Sequence, residues 1–435
     1  MTMIRKLVLT LLVAFTGLSL LGAKVTTVKD ALSPSGYRTI FEYADEAATD
    51  VKVSGSFSFY KDNNPMLFGM SAIISTRNDS AANYIYGPEA WAEGGMRHIG
   101  GNRDIAMSKE GGVWTCSVEL PSACYQYTFS VSYDGGESWA RVMDPDNLPE
   151  QNAYAVGKQG SSRFFVPYDA EKQSPEDDWT FLMPYEGERG TIEYFTYEGV
   201  GGTRPSQVYL PYGYDEERAE PYKTLYLVHG GMGSEGDWFF QGNADNIADR
   251  LIAAGTVEPF VIVTMEIDTF KLSTKDPSYN GLNPDYRALI KDIRDCLIPA
   301  VEERYNVSEK GEDRAVAGLS LGANISTAFL FRSPETFGSY GLFSCGSVNL
   351  YSVDTDPELM KDKNIYLGGG FADMAFMRRN FHQDEVSSTL GMAWLLDNLG
   401  VDYNNKGSLT IVPGAHDWFT WPQLLCDFIS GYLWK

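Results

Sequence analysis

The first part of the chain alternates hydrophobic and polar residues with a period of two. In the clearest run, residues 125–133, Tyr, Phe and Val alternate with Gln, Thr and Ser up to a turn at Asp134-Gly135-Gly136. Shorter runs of the same kind occupy residues 51–59 and 114–120. A period of two sends successive side chains to opposite faces of a strand, so that one face is buried and the other is solvated. We therefore predict a β-sandwich from about Asp50 to Tyr168.

From residue 190 onwards the pattern changes to short apolar runs, typical of buried strands, separated by stretches with a helical period. Strands that alternate with helices build a mainly parallel sheet with helices on both faces. In such a sheet the catalytic residues lie beyond the carboxyl ends of the strands. The predicted strands cover residues 190–197, 207–210, 224–228, 260–264, 315–317, 340–343, 365–367 and 408–412, and the predicted helices cover residues 243–254, 285–305, 321–331, 385–399 and the C-terminus.

A polar segment from Asp169 to Asp178, with almost no apolar residue, separates the two patterns. A composition shift of this kind marks a domain boundary. We expect a β-domain with its linker over residues 24–178 and an α/β domain over residues 179–435. With 435 residues, the chain is long enough for both.

The N-terminus has the organisation of a secretory signal. Arg5-Lys6 precede an apolar run from Leu7 to Leu21, and small residues follow at Gly22-Ala23. The run is too short for a typical membrane-spanning helix, and no cysteine follows it to carry a lipid. We expect a signal peptide over residues 1–23, no transmembrane segment in the mature chain, and a secreted or periplasmic location.

Charge and cysteine content exclude some function classes. The formal net charge is −23 at pH 7, so nucleic acid is not an expected partner. The five cysteines lack metal-ligand or redox-pair spacing, and the sequence has no phosphate loop, nucleotide fingerprint or metal-ligand cluster. We therefore expect no metal and no cofactor. Cys116 and Cys124 lie close enough for a disulfide across a hairpin, but we favour buried free thiols.

The strongest catalytic signal is the pentapeptide Gly318-Leu319-Ser320-Leu321-Gly322, which fits G-x-S-x-G between an apparent strand and an apparent helix. That is the context of a nucleophile elbow, a strained turn that presents a serine hydroxyl beside a helix N-terminus. The small residues two positions before and after the serine let the backbones pass. The alternative is a Gly-rich turn that happens to contain a serine.

A serine hydroxyl needs a base beside it, most often an imidazole held by a carboxylate. Of the four histidines, His98 lies in the β-domain, His229 follows an early strand, and His382 follows the strand that we expect to present the acid. His416 remains, directly after the last predicted strand. The order serine, acid, histidine places the base there.

The acid should follow a strand between the serine and the histidine. Asp373 ends the run that begins with the strand 365–367, and Asp384 and Glu385 are the reserves. The reserves have a stronger alternative, a solvated helix start, because acids are common in the first turn of a helix. Asp417 adjoins His416 in sequence, and we expect its side chain to point elsewhere.

The oxyanion hole is predicted from backbone N–H groups. One belongs to Leu321, the residue after the nucleophile, and the other to Gly231 or Met232 in the loop His229-Gly230-Gly231-Met232-Gly233. Glycines let this backbone approach a substrate. His229 is then expected to be structural.

These motifs recur in an order that resembles the putative-esterase family, which contains carbohydrate esterase family 1, with its feruloyl and acetyl xylan esterases, and has siderophore esterases as relatives. The resemblance implies an α/β-hydrolase domain in which Ser320, Asp373 and His416 cleave an ester through an acyl-enzyme. It spans about residues 186–435 and rests on residues 208–214, 225–233, 237–238, 305, 318–322, 368–373 and 414–418.

The β-domain resembles the Ig-like, early-set sandwich domains related to family 48 carbohydrate-binding modules. The resemblance rests on residues 114–120, on the strand 125–133 with its Asp-Gly turn, and on Asp144-Pro145-Asp146-Asn147. It implies either sugar binding or packing against the neighbouring domain, and we favour packing.

Aromatic residues near the predicted catalytic edge are candidates for holding an acyl group or a sugar ring, although each also fits a core position. They are Trp238, Tyr286, Phe371, Trp418 and Trp421.

The motifs predict a secreted serine hydrolase, and the resemblance to carbohydrate esterase family 1 implies that it removes feruloyl (hydroxycinnamoyl) or acetyl groups from plant cell-wall xylan or its oligosaccharides. A siderophore or other small-ester hydrolase is one alternative, and a catalytically silent carbohydrate-binding protein is the other. The set of Ser320, Asp373 and His416 favours an enzyme, because a binding protein does not need all three.

Overall fold

The computed structural model describes residues 22–60, 85–94, 96–97, 102–148, 160–267, 286–345, 348–349, 356–371, 373, 385–386, 388–406 and 408–435. The apolar run of the predicted signal peptide, together with His98, His382 and the reserve acid Asp384, lies outside these residues.

The described part of residues 22–166 consists of antiparallel strands and one short helix. Two sheets have the strand orders β1-β2-β9-β8 and β11-β10-β3-β7, with β12 also paired to β10, and a small third sheet has the order β5-β4-β6. The strands are β1 (Gly22–Lys29), β2 (Tyr37–Ala44), β3 (Asp50–Gly55), β4 (Phe59–Tyr60), β5 (Ile85–Tyr86), β6 (Met96–Arg97), β7 (Arg103–Ala106), β8 (Ser108–Glu110), β9 (Val113–Val118), β10 (Ala123–Ser132), β11 (Ala140–Val142) and β12 (Ser162–Val166), and the helix is α1 (Glu89–Ala92).

The two larger sheets face each other across an aromatic core. Tyr127 and Phe129 on β10 are buried, as their alternation predicts. The ring of Phe41, on the other sheet, lies 5.3 Å from that of Tyr127 and 5.4 Å from that of Phe164. Contacts of this kind explain why the aromatic positions alternate. The closer assignment to Ig-like domains stays a prediction.

Strand β1 shows no regular alternation because it is an edge strand that pairs only with β2. It begins at Gly22, and the N–H of Ala23 donates to Asp146 Oδ2 at 2.8 Å. The predicted cleavage after Ala23 would therefore fall within this strand.

The second part of the chain forms an eight-stranded sheet with the order β13-β14-β16-β15-β17-β18-β20-β22. Only β14 runs against the others, since it pairs antiparallel with both of its neighbours. Counted within the sheet, the order is 1-2-4-3-5-6-7-8, that of an α/β hydrolase. The strands are β13 (Thr191–Gly199), β14 (Gly202–Leu210), β15 (Thr224–Val228), β16 (Val261–Met265), β17 (Arg314–Leu319), β18 (Ser339–Phe343), β20 (Asn364–Gly370) and β22 (Thr410–Val412), with a separate pair β19 (Val348–Asn349) and β21 (Glu385–Val386).

Helices cover both faces of this sheet. In the long predicted helix 285–305 the hydrogen-bond ladder changes to a π turn at Ile293–Leu297, just before Pro299. A proline has no N–H to continue the ladder, which accounts for the irregular turn. The helices are α2 (Asp237–Phe240), α3 (Ala244–Ala253), α4 (Arg287–Asp292), α5 (Ile298–Arg304), α6 (Leu321–Arg332), α7 (Thr389–Leu399) and α8 (Trp421–Gly431). Within the described residues, none of the helices combines the length and the hydropathy that a bilayer span requires.

Strand β14 begins five residues before the predicted strand. The hydrophobicity pattern misses its first half because the residues there are polar. Arg204 in this half is buried beside Asp292, with its Nε 3.3 Å from Oδ2, and donates to the Glu266 carbonyl at 2.8 Å. A buried charge needs such partners, and a hydrophobicity pattern does not reveal them.

Two clusters of buried side chains fill the two faces of the large sheet. One contains Val263, Leu330 and Leu342. The other contains Leu227 and Phe343 and continues without a break into the core of the N-terminal sheets. The N-terminal sheets therefore pack directly on one face of the α/β part.

Candidate active site

Ser320 lies in a sharp turn between β17 and α6. Its backbone has φ 51° and ψ −114°, a region that non-glycine residues rarely occupy. The N–H of Ser320 donates to the Phe343 carbonyl of the adjacent strand at 3.0 Å. A Cβ on Gly318 would overlap the backbone of Gly322, and a Cβ on Gly322 would overlap the Val228 carbonyl. Both positions therefore require glycine, because the neighbouring backbone segments lie too close for a side chain.

His416 follows β22, and its imidazole lies between Ser320 and Asp373. Nε2 is 2.8 Å from Ser320 Oγ, and Nδ1 is 2.9 Å from Asp373 Oδ1. Asp373 follows β20 and is fully buried, whereas the His416 side chain is 28% exposed. The three side chains therefore form a connected row from the partly exposed residue Ser320 to a buried carboxylate. In this geometry the imidazole can accept the hydroxyl proton, and the carboxylate can stabilise the resulting imidazolium.

Aromatic rings support the imidazole. The ring of Trp421 stands edge-on to that of His416, with 5.2 Å between centroids and 86° between planes. Trp421 Nε1 donates to Ser344 Oγ at 3.0 Å. The neighbouring Asp417 accepts the Phe419 N–H at 2.9 Å, so its carboxylate is committed to the loop backbone.

The predicted oxyanion donors lie on neighbouring segments. Leu321 is the first residue of α6, and Gly231 and Met232 follow β15, which runs parallel to β17. Since parallel strands end at the same edge, both loops leave the sheet on the side of Ser320. Met232 has φ 65° and a fully exposed side chain, and the space beside Gly231 is open.

His229 has a structural environment. It is buried, its Nδ1 lies 2.7 Å from the Gly230 carbonyl, and its Nε2 accepts the Ile267 N–H at 3.3 Å. The carbonyl can only accept, so Nδ1 carries the proton and the ring acts as a neutral spacer beneath the loop.

The aromatic candidates for the acyl pocket differ in how far their side chains are exposed to solvent. Phe371 is 41% exposed, and Tyr286 and Trp418 are half-buried. Trp238 is only 1% exposed and its ring packs against Trp418 at 5.3 Å, so its place in a ligand-binding pocket stays a prediction. Trp421 is also largely buried, in contact with His416, and its role toward a ligand likewise stays a prediction.

Some residues that shape the site carry no sequence signal. Ser344 is fully buried with φ 54°, and its N–H donates to the Gly368 carbonyl at 2.8 Å. It orients Trp421 and through it the imidazole. A serine after a strand is too common for this role to be inferred from the sequence alone.

The remaining sequence candidates are Glu385, the cysteines and a possible metal site. The reserve acid Glu385 belongs to strand β21, which pairs with β19. All five cysteines are free, so Cys116 and Cys124 are not bridged. Among the residues that the structure describes, His, Cys, Asp and Glu side chains form no group of three or more that could hold a metal ion.

Comparison with known proteins places the chain among esterases. The family described as Putative esterase matches residues 198–430. An endo-1,4-beta-xylanase/feruloyl esterase of Xylanibacter ruminicola is 30% identical over 283 residues, which are 62% of this chain and 35% of the relative. Endo-1,4-beta-xylanase Y of Acetivibrio thermocellus is 32% identical over 180 residues, which are 39% of this chain and 15% of the relative. The matches thus span about a third and about a seventh of these longer curated relatives.

Among solved structures, a ferulic acid esterase of carbohydrate esterase family 1 from Anaeromyces mucronatus overlays with a TM-score of 0.47 and 20% identity. The overlay covers 58% of this chain and 94% of the other.

Proposed function

The chain belongs to the putative esterase family, and from that premise we propose that it is a serine esterase acting on feruloyl esters of plant cell-wall xylan or its oligosaccharides. The observation that carries the proposal is the row formed by Ser320 Oγ, the two nitrogens of His416 and Asp373 Oδ1, with separations of 2.8 and 2.9 Å. A hydroxyl held against an oriented imidazole is the arrangement that nucleophilic ester cleavage needs.

In the proposed reaction His416 Nε2 accepts the proton of Ser320 as Oγ attacks the ester carbonyl carbon. The negative oxygen of the tetrahedral intermediate receives hydrogen bonds from the N–H of Leu321 and from that of Gly231 or Met232. The imidazolium, stabilised by Asp373, then protonates the departing alcohol and leaves an acyl-enzyme. Water, deprotonated by the same imidazole, then attacks the acyl carbon; the bond to Oγ breaks, the imidazolium returns the proton to Oγ, and the acid leaves.

The polysaccharide substrate is supported by the relatives named as xylanases and by a cleft beside the catalytic loop. The cleft has a volume of about 500 Å³ and lies between the N-terminal sheets and Pro413-Gly414, just before His416. The residues that line it include Trp91, Lys172, Glu176 and Asp177. Aromatic surface combined with a few polar groups favours a sugar chain. Secretion or periplasmic export belongs to this proposal, because a cell-wall substrate lies outside the cytoplasm.

The test is product release from methyl ferulate and from acetylated xylan, with Ser320→Ala as the control. Ferulate release that disappears in the variant supports the proposal. Acetate release alone would move the assignment to acetyl xylan esterase, and no release from either substrate would overturn the xylan assignment. A small siderophore-type ester is then the next substrate to assay.

Trp91→Ala tests the role of the cleft. We expect a higher KM for feruloylated xylo-oligosaccharide and an unchanged KM for methyl ferulate, because only the longer substrate reaches the cleft. If the variant and the wild type have the same KM for the oligosaccharide, the cleft does not have this role.

A further inference from the structure

The loop that carries His416 is supported weakly by its own sheet. Strand β22, which precedes it, has three residues and lies at the sheet edge, where it pairs only with β20. Nε2 must nevertheless stay within hydrogen-bond reach of Ser320 Oγ, since displacement of a catalytic group by about 1 Å can lower a rate 100-fold.

One additional support comes directly from the N-terminal part of the chain. Phe419, three residues after His416, is 5% exposed and contacts Tyr125 of β10, with ring centroids 5.9 Å apart. It also contacts Trp179 of the connecting segment at 5.6 Å. The hydroxyl of Tyr125 donates to the Pro121 carbonyl at 2.9 Å, which fixes that ring within the N-terminal sheets.

A second set of contacts connects the N-terminal sheets to helix α2. Arg163 on β12 directs its Nη1 to three acceptors: the Phe239 carbonyl at 2.9 Å, the Phe240 carbonyl at 2.8 Å and Asn243 Oδ1 at 2.9 Å. Phe239 and Phe240 end α2, where helix carbonyls lack partners within the helix. The guanidinium is permanently charged and planar, so it can hold several acceptors in a fixed arrangement.

Helix α2 reaches the imidazole through three edge-on ring contacts. Trp238 on α2 contacts Trp418 at 5.3 Å, Trp418 contacts Trp421 at 5.1 Å, and Trp421 contacts His416 at 5.2 Å. The planes meet at 86° to 89° in all three pairs. Close-packed rings in this arrangement transmit a displacement of α2 to the imidazole.

We propose that the N-terminal sheets position His416 for catalysis and that Arg163 is a positioning residue of the esterase site. This inference rests on the proposed function, because it assigns the contacts to the row Ser320, His416 and Asp373. It makes the N-terminal part a component of the active site's architecture, whether or not it also binds sugar.

The test compares Arg163→Met with Arg38→Met in the full chain. Arg38 lies in the same N-terminal sheets, and its partners among the described residues lie in that part of the chain: Asp30 at 2.7 Å, Glu119 at 2.6 Å and Ser117 at 3.4 Å. On the small ester methyl ferulate we expect Arg163→Met to lower kcat about 10- to 100-fold with KM changed less than about twofold. Arg163→Lys, which keeps the charge but not the planar fork, should restore part of kcat, and Arg38→Met should match the wild type.

A readout independent of hydrolysis separates this inference from the proposed function. Two-dimensional ¹H–¹⁵N spectra of the imidazoles should show shifted or broadened His416 signals in Arg163→Met and unchanged signals in Arg38→Met. Unchanged His416 signals in a folded Arg163→Met, or a wild-type kcat, would overturn the positioning role. If Arg163→Met does not fold, the same spectra are recorded for Arg163→Lys, and unchanged His416 signals in that variant would overturn the positioning role. A wild type that cleaves no ester refutes the proposed function, while the spectra still decide whether Arg163 holds the ring.

Discussion

The backbone of Ser320 should be strained, and the strain should be measurable as lost stability. We consider Ser320→Ala and Ser320→Gly as a pair. Both variants lose the hydroxyl and with it the 2.8 Å contact to His416 Nε2, so both should be inactive. They differ in the Cβ, which disfavours the observed φ of 51° and ψ of −114°.

The expected difference follows from two opposing contributions. A non-glycine residue held in a sparsely populated backbone region costs on the order of 1–3 kcal/mol, and glycine removes this cost. Glycine also gains freedom in the unfolded chain, which lowers its stability by about 0.5–1 kcal/mol relative to alanine. The difference leaves Ser320→Gly more stable than Ser320→Ala by about 1 kcal/mol.

Urea denaturation followed by far-UV circular dichroism measures this difference as a shift in midpoint. The matched control is the same pair at Ser326, inside α6, where the backbone is helical. There glycine should be the less stable variant by about 1 kcal/mol, because it is a poor helix former. If Ser320→Gly unfolds at the same or a lower urea concentration than Ser320→Ala, the turn is not strained at this residue and the reasoning is wrong.

Three further predictions follow from the geometry. Asp373→Asn should lower kcat on the order of 10⁴-fold without unfolding the protein, since an amide does not stabilise the imidazolium; a loss below tenfold in steady-state assays would contradict the assigned role. Gly322→Ala should destabilise the protein by about 1–3 kcal/mol, because the added Cβ would overlap the Val228 carbonyl. The control Gly231→Ala adds a Cβ beside open space and should leave the midpoint of urea denaturation unchanged. Burial raises the pKa of the Cys116 thiol to about 12. Iodoacetamide at pH 8 should therefore label this thiol slowly in the native protein and rapidly in urea, which peptide mass mapping would measure. Equal labelling rates in the two conditions would mean that the thiol is not desolvated.

Elements built from consecutive residues were the most predictable from the sequence. The alternation in β10 indicates a strand with one buried face because side chains of a strand point alternately to its two sides. The short apolar runs around residues 224–228 and 314–319 indicate buried parallel strands in the same way. Their boundaries shift by only a few residues in the structure, since these signals depend on neighbours along the chain.

Predictions about what a side chain touches were less successful. The sequence places Trp238 near the catalytic edge, but only the structure shows that its ring packs against Trp418. The polar residue Arg204 obscured the first half of β14, although an ion pair with Asp292 buries it. Neither partner is near in sequence, so no local pattern contains the information.

For the candidate site, the sequence by itself determined the turn at Ser320 and the demand for small residues on either side, and elimination among four histidines left His416. Only the tertiary structure decided that Nε2 of this histidine lies 2.8 Å from Ser320 Oγ, that Phe419 contacts Tyr125 of the N-terminal sheets, and that Arg163 donates to helix α2. The physical reason is that a turn depends on the sterics of adjacent residues, whereas contacts across 76 residues or more depend on how whole sheets pack.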